Sequence, residues 1–277
     1  MTPHRKRIEF FRANRVPCLA GAAALAVVIA LAMVFVIDLS GLRSPEDSAA
    51  LKQVRNVSLS DIGKTGSVPP AFIKRIDVDL AALSTKERKQ AFFRMILPLV
   101  ARENGRIRAE RKSLTGAVPN GLFKRYDVTK GDLETLRKRV DVIPTSLVLA
   151  QAALESGWGT SRFVLDGNNL FGMRTYDDDT PGLKPAAARG FKVMRFKSLG
   201  ESVAAYMRNL NTHRAYRQLR EARAAIRSTG KQPAGPDLAA WLTNYSEIPE
   251  KYGQMLRSLI AREKLAPFDD VRLKASD

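Results

Sequence analysis

The chain has one cysteine, Cys18, and two histidines, His4 and His213, and these shortages exclude several chemistries. A single thiol forms no intrachain disulfide, so a domain exported to an oxidising compartment must be held by its core alone. Two imidazoles, with no H-E-x-x-H spacing and no cysteine cluster, do not build a histidine-rich zinc site; neither a metal nor a cofactor is expected. A Ser-His-Asp hydrolase would have to run through His213, and no serine lies within G-x-S-x-G. Acids are outnumbered too: 28 Asp and Glu stand against 46 Lys and Arg, a net charge of +18 over 277 residues. That surplus favours anionic partners, whether nucleic acid, anionic lipid or an acidic polymer, without choosing among them.

Residues 16–37 read VPCLAGAAALAVVIALAMVFVI, an uncharged stretch about as long as a bilayer-spanning helix requires. Arg5, Lys6, Arg7, Arg12 and Arg15 precede it against a single acid, Glu9, and the positive-inside rule keeps such a flank in the cytoplasm. A cleaved signal peptide is the alternative, with Ala30-Leu31-Ala32 as its processing site, but the run exceeds a usual signal core and favours an uncleaved anchor. The expected organisation is a cytoplasmic tail (1–15), a transmembrane signal anchor (16–37), a linker and extended arm (38–83), one catalytic-sized domain (84–264) and a C-terminal tail (265–277). Export, with no recognisable reader motif, makes nucleic acid an unexpected partner.

Within the domain the periodicity is mostly helical. Ser84-Thr85-Lys86-Glu87 has capping-box spacing and opens a long amphipathic helix through AFFRMILPLV, expected to bend or break near Pro98. Helices are also expected over 131–140, 144–156, 216–228, 237–245 and 250–264. FKVMRF (191–196) alternates like a strand, and Ser198 to Glu201 repeats the capping-box spacing ahead of a stripe of Val203, Tyr206, Met207 and Leu210. TGSVPPAFIKRIDV (65–78) and TGAVPNGLFKRYDV (115–128) agree at eight of fourteen positions, either as paired arms docking symmetrically or as a chance likeness of two linkers. The fold class is mainly α (α+β).

One acid stands out. Pro144 suits the first turn of a helix and Gly157 a left-handed stop, which puts Glu155 in the last turn, one turn after Gln151 on the same face. Apolar neighbours and the negative end of the helix dipole both disfavour a carboxylate there. An acid that keeps its proton near neutral pH is what a glycosidase needs to protonate a leaving-group oxygen. A solvent-facing glutamate at a helix end is the competing reading.

AQAALESGWGTSRF followed by GNNLFGMR resembles the signature of the bacterial glucosaminidase domain, a glycoside hydrolase family that cuts peptidoglycan at N-acetylglucosamine. The likeness extends over about residues 85 to 262, and NLNTHRAYR is similar to the Bax-like membrane-associated proteins of Gram-negative bacteria. The resemblance implies a lysozyme-like helical domain with a small β-lobe and a sugar-binding groove between them. It implies that Glu155 is the catalytic general acid and that Tyr245 is the tyrosine used near the groove. Family members carry that tyrosine in a Tyr-Ala-Thr-Asp-Pro context; here Tyr245-Ser246-Glu247-Ile248-Pro249 lacks the Asp, leaving Glu247 as its substitute or as a solvated acid.

Asn168, Asn169 and Phe171 match the turn after the catalytic helix and are candidate substrate contacts, although Gly167-Asn168 is also an ordinary turn dipeptide. Trp158 and Tyr206 are candidate groove residues, with packing in the core as the favoured reading of each. For a second carboxylate the sequence offers Asp177, Asp178 and Asp179, of which Asp178 is the chosen candidate for activating water. Assistance by the substrate's own N-acetyl group, with Tyr245 orienting it, is the alternative. The expected function is hydrolysis of the β-1,4 bond on the reducing side of N-acetylglucosamine, with peptidoglycan glycan strands and the inner membrane as partners. Lytic transglycosylase-type cleavage and a non-catalytic envelope tether are the competing functions.

Overall fold

The computed structural model describes residues 49–185, 190–242, 245 and 249–275. Its eleven described helices are α1 (Ala49–Val54), α2 (Leu59–Thr65), α3 (Thr85–Lys112), α4 (Asn120–Arg125), α5 (Leu133–Arg139), α6 (Thr145–Glu155), α7 (Arg162–Gly167), α8 (Leu199–Thr212), α9 (Arg217–Ser228), α10 (Gly235–Ala239) and α11 (Pro249–Arg262). Five short strands accompany them: β1 (Ser67–Val68), β2 (Arg174–Thr175), β3 (Gly182–Leu183), β4 (Lys192–Met194) and β5 (Arg272–Leu273). Strands β2 and β3 flank β4 in an antiparallel sheet, and β1 pairs parallel with β5. The described chain is mostly helical with small sheets, as the expected mainly α (α+β) class requires.

α3 is the longest element and its start is set locally. Ser84 accepts from the Glu87 backbone N–H while Glu87 Oε2 accepts from that of Ser84, so two otherwise orphaned donors are satisfied reciprocally. The helix then runs 28 residues without interruption through Pro98, where a break or bend is expected from sequence. Proline removes one helical hydrogen bond, but Met95, Ile96, Leu97, Leu99 and Val100 around it are all buried. Each such side chain contributes roughly 1.5–3 kcal/mol, enough together to hold the helix across the missing bond.

α6 lies against α3, α10 and α11 and is buried from Thr145 to Ala153. Pro144 is the residue before its first turn, with extended ψ of 129°, and not the first helical residue. Among the described residues of the 237–245 segment, helix is confined to α10, which ends at Ala239, and Tyr245 sits in a bend.

Two expectations about the flanks are overturned. The arm over 49–83 is part of the domain: Val54, Val57, Ile62, Val68, Ile73, Ile76, Val78 and Leu80 are buried in the same core as α3 and α6. The tail is too, because Leu265, Phe268 and Val271 join that core and β5 ties residues 272–273 to β1. The likeness between 65–78 and 115–128 does not produce paired arms. The first segment holds β1 and extended chain in the main core; the second forms α4 in a separate cluster with Tyr126, Leu136 and Val140. The 16–37 run lies outside the described residues, and among those described no helix is long and apolar enough to cross a membrane.

Since nine buried apolar side chains, those eight and Ala71, come from before residue 84, a chain starting at residue 84 should lose cooperative unfolding, whereas one starting at residue 49 should retain it. Urea denaturation followed by near-UV circular dichroism distinguishes the two; equal cooperativity would return this segment to the status of a linker.

Candidate active site

Glu155 is the last residue of α6, and a run of left-handed backbone follows it: Gly157 (φ 57°), Trp158 (φ 61°) and Gly159 (φ 81°). Gly159 has to be glycine for a second reason. A Cβ there would come within 2.8 Å of Ile76 and 3.1 Å of Phe92, so this turn is pressed against the arm and α3. Ser156 Oγ ties the turn to the helix, donating to the Ala152 carbonyl (2.5 Å) and accepting from the Gly159 N–H (2.9 Å). ESGWG is thus a rigid corner that presents Glu155 at a helix end.

The half-buried Glu155 carboxyl terminates a directed chain of hydrogen bonds. Tyr206 on α8 donates to Gln151 Oε1; Gln151 Nε2 donates to the Tyr252 hydroxyl (3.1 Å); Tyr252 on α11 donates to Glu155 Oε1 (2.8 Å). Burial pushes the Glu155 carboxyl up to about 7, against the opposing pulls of the Tyr252 hydrogen bond and the Arg174 charge. Burial, followed by the nearby Glu155 charge, holds the Tyr252 and Tyr245 phenols well above their ordinary range. Both therefore act as donors, not anions.

Aromatic rings wall this chain. Phe171 stacks on Tyr206 at 3.8 Å between centroids, and Tyr245 stacks on Tyr252 at 5.4 Å. Tyr245 also donates its hydroxyl to the Phe171 carbonyl (2.7 Å). Glu155, Tyr245, Phe171 and Tyr206 are therefore brought together, with Phe171 and Tyr206 buried behind the acid as its backing.

The other candidates are placed differently. Asn169 is buried and its amide is fully used: Nδ2 donates to Met173 and Met194 carbonyls, and Oδ1 accepts from the Phe171 and Met173 N–H groups. It fastens the turn after α7 to β4 and has no capacity left for a sugar. Asn168 adopts left-handed backbone as the cap of α7 and donates Nδ2 to Phe196, while its Oδ1 is buried without a hydrogen-bond partner. Trp158 packs edge-on against Phe92 and Phe93, with Lys89 Nζ 4.8 Å over its ring, which gives it a packing role. Asp178 lies on the exposed turn between β2 and β3, shaped by Asp177 accepting from Asp179 and Thr180. The charge that acts on Glu155 comes from Arg174 and not from that turn. Glu247 falls outside the described residues.

A family described as mannosyl-glycoprotein endo-beta-N-acetylglucosaminidase, the glucosaminidase family, matches residues 130–265. Protein bax of Escherichia coli (strain K12) is 36% identical over 187 residues, covering 61% of this chain and 67% of that protein. This chain belongs to the glucosaminidase family. It is accordingly a glycoside hydrolase, and the matched span contains Glu155, Tyr206, Tyr245 and Tyr252. The catalytic domain of the autolysin Auto from Listeria monocytogenes is 22% identical and covers 69% of this chain and 93% of its own, at a TM-score of 0.36, a level that does not establish shared site geometry.

Gln151, Tyr252 and Arg174 join this candidate site without having been singled out from the sequence. Gln151 was within reach, since its i, i+4 spacing to Glu155 puts both on one face. Tyr252 stands in the same YSEIPEKY segment as Tyr245, but only folding shows that it is the residue that touches the acid.

Raising the Glu155 pKa from 4.5 to about 7 also makes stability depend on pH. Between those values the folded state holds a proton the unfolded chain has lost, so stability is full below about pH 4.5 and declines as pH rises towards 7. Relative to Glu155→Gln, which cannot ionise, the wild type should lose on the order of 3 kcal/mol across that window. Urea midpoints at both ends measure it, and parallel pH curves would show an ordinary, hydrated carboxyl.

Proposed function

We propose that this chain is an endo-β-N-acetylglucosaminidase that hydrolyses the β-1,4 bond on the reducing side of N-acetylglucosamine in peptidoglycan, with Glu155 as general acid. The observation that carries the reading is a glutamate in the family signature, raised to about 7 by burial and oriented by Tyr252. Tyr252 occupies Oε1, which leaves Oε2 to hold the proton and deliver it to the glycosidic oxygen as the C1–O bond breaks. Basic surface charge suits acidic stem peptides and muramoyl glycans, although such attraction is screened by salt and guides encounter only.

Within the hydrogen-bonded network of Glu155 there is no second carboxylate among the described residues, which favours assistance by the substrate. The acetamido carbonyl oxygen would attack C1 as the leaving group departs, and water would then open the resulting ring. Tyr245, its proton committed to Phe171, retains a lone pair to accept from the acetamido N–H. Asp178, whose carboxylate makes no hydrogen bond among the described residues, is the group from which direct activation of water would have to come. On the same reading residues 16–37 anchor the chain in the inner membrane, with the N-terminus in the cytoplasm and the domain in the periplasm; the support is the length of the apolar run and its basic flank.

Digestion of purified peptidoglycan, with mass spectrometry of the ends formed, should give reducing-end N-acetylglucosamine, and Glu155→Gln should reduce its release by about 10³-fold or more while still binding sacculi. Anhydromuramoyl ends would make the enzyme a lytic transglycosylase, and binding without cleavage by the wild type would make it a tether. Asp178→Asn should change the rate by less than about threefold if the acetamido group assists, and by roughly 10²-fold if Asp178 is the base. Tyr252→Phe removes the bond that pulls the Glu155 pKa down, so the alkaline limb of kcat/KM should move to higher pH. An unmoved limb would assign the limb to another group.

A further inference from the structure

At the opposite end of α6 from Glu155, two adjoining clefts of about 500 and 220 Å³ share Arg111, Arg137, Asp141 and Arg227. Asp141 is buried and already satisfied: Arg227 meets its two carboxylate oxygens at 2.5 and 2.8 Å, and Arg223 and Arg111 lie at 3.6 and 3.7 Å. One acid thus serves three guanidinium groups. Around it Arg108, Arg137 and Arg272 line the larger cleft and have no ion-pair partner within 4.0 Å among the described residues. The Arg108 Nη1 is buried with no hydrogen-bond partner, and its guanidinium is disfavoured by burial and by the Arg272 and Arg227 charges, against the opposing pull of Asp270 and Asp141.

A buried donor without an acceptor, set among like charges, costs free energy that a bound anion would recover. Planar guanidinium forks match the oxygens of phosphate, and the five that line this cleft, Arg108, Arg111, Arg137, Arg227 and Arg272, outnumber its two carboxylates, Asp141 and Asp270. The larger cleft falls within the range of small-ligand sites and has more room than one inorganic phosphate fills. We propose that this cleft is an anion-binding site for a diphosphate or phosphate ester, separate from the glycosidase centre. Its occupant would reach Glu155 only through the length of α6, eleven residues or about 16 Å.

Calorimetric titration of the full chain in non-ionic detergent with pyrophosphate should show one saturable, salt-sensitive site with Kd below about 1 mM. Arg137→Gln combined with Arg272→Gln, both exposed and so tolerant of change, should weaken it by at least about tenfold. Arg214→Gln combined with Arg217→Gln, exposed arginines outside the cleft, should leave it unchanged. Displacement of pyrophosphate by water-soluble dihexanoyl phosphatidic acid would identify a lipid headgroup as the source of the phosphate, and binding of pyrophosphate without that displacement would identify a soluble anion. Absence of saturation up to about 10 mM, or equal weakening in both double variants, would overturn the site in favour of diffuse surface charge.

Discussion

The hydrogen bond from Tyr252 to Glu155 is the contact on which the site depends, because it sets the balance that burial alone would overshoot. Desolvation pushes the carboxyl towards its neutral form; the phenol and Arg174 pull it back, and the result near 7 lets one group both hold and release a proton. Raising the carboxyl from 4.5 to about 7 corresponds to on the order of 3 kcal/mol, comparable with a large share of the net stability of a domain. Such a cost persists only where the surroundings fix it. Here the donors come from three helices, Gln151 on α6, Tyr206 on α8 and Tyr252 on α11, so the packing of the core is also the alignment of the acid.

The small sheet contributes through geometry of the same kind. Asn169 uses both its donors and its acceptor oxygen to clip the turn after α7 onto β4, and that turn carries the Phe171 carbonyl to which Tyr245 donates. β2 starts at Arg174, the cation that acts on Glu155. The GNNLFGMR segment therefore links acid, tyrosine wall and sheet in one covalent stretch. Asn169 works by making the backbone rigid, with its amide wholly used inside the fold.

How much of this was legible follows from the range of the interactions. The capping box at Ser84, the Ser198 cap, whose Glu201 accepts from the Lys197 N–H and not from that of Ser198, the stop after Glu155 and the strand at 192–194 depend on residues a few positions apart, and the sequence displays most of this directly. The arm over 49–83 was not legible because its apolar residues follow no steady period and β1 finds its partner some 200 residues later, at Arg272 and Leu273. Pro98 misleads in the same way: a local rule predicts a break, and burial on all sides overrides it. Glu155 could be singled out from its neighbours in sequence, but Tyr252 owes its role wholly to tertiary proximity. Tyr206 was legible both as a groove candidate and as a core position, but its stacking on Phe171 behind the acid was not, since periodicity marks a face without saying what covers it.

The distribution of charge completes the account of how Glu155 keeps its proton. A net +18 spread evenly would place cations around every acid and draw each carboxyl towards its ionised form. Instead Arg108, Arg111, Arg137, Arg227 and Arg272 gather beyond the first turn of α6, while Glu155, at the last turn, responds to Arg174 alone. The helix between them spans about 16 Å, and the one charge that acts on the acid is Arg174, at its own end. Placing the two at opposite ends of one buried helix allows a strongly basic protein to attract anions and still hold a neutral carboxylic acid. Had the arginine cluster stood at the C-terminal end of α6, burial would have had to overcome it as well, and the proton that the proposed reaction needs would have been lost well below neutrality.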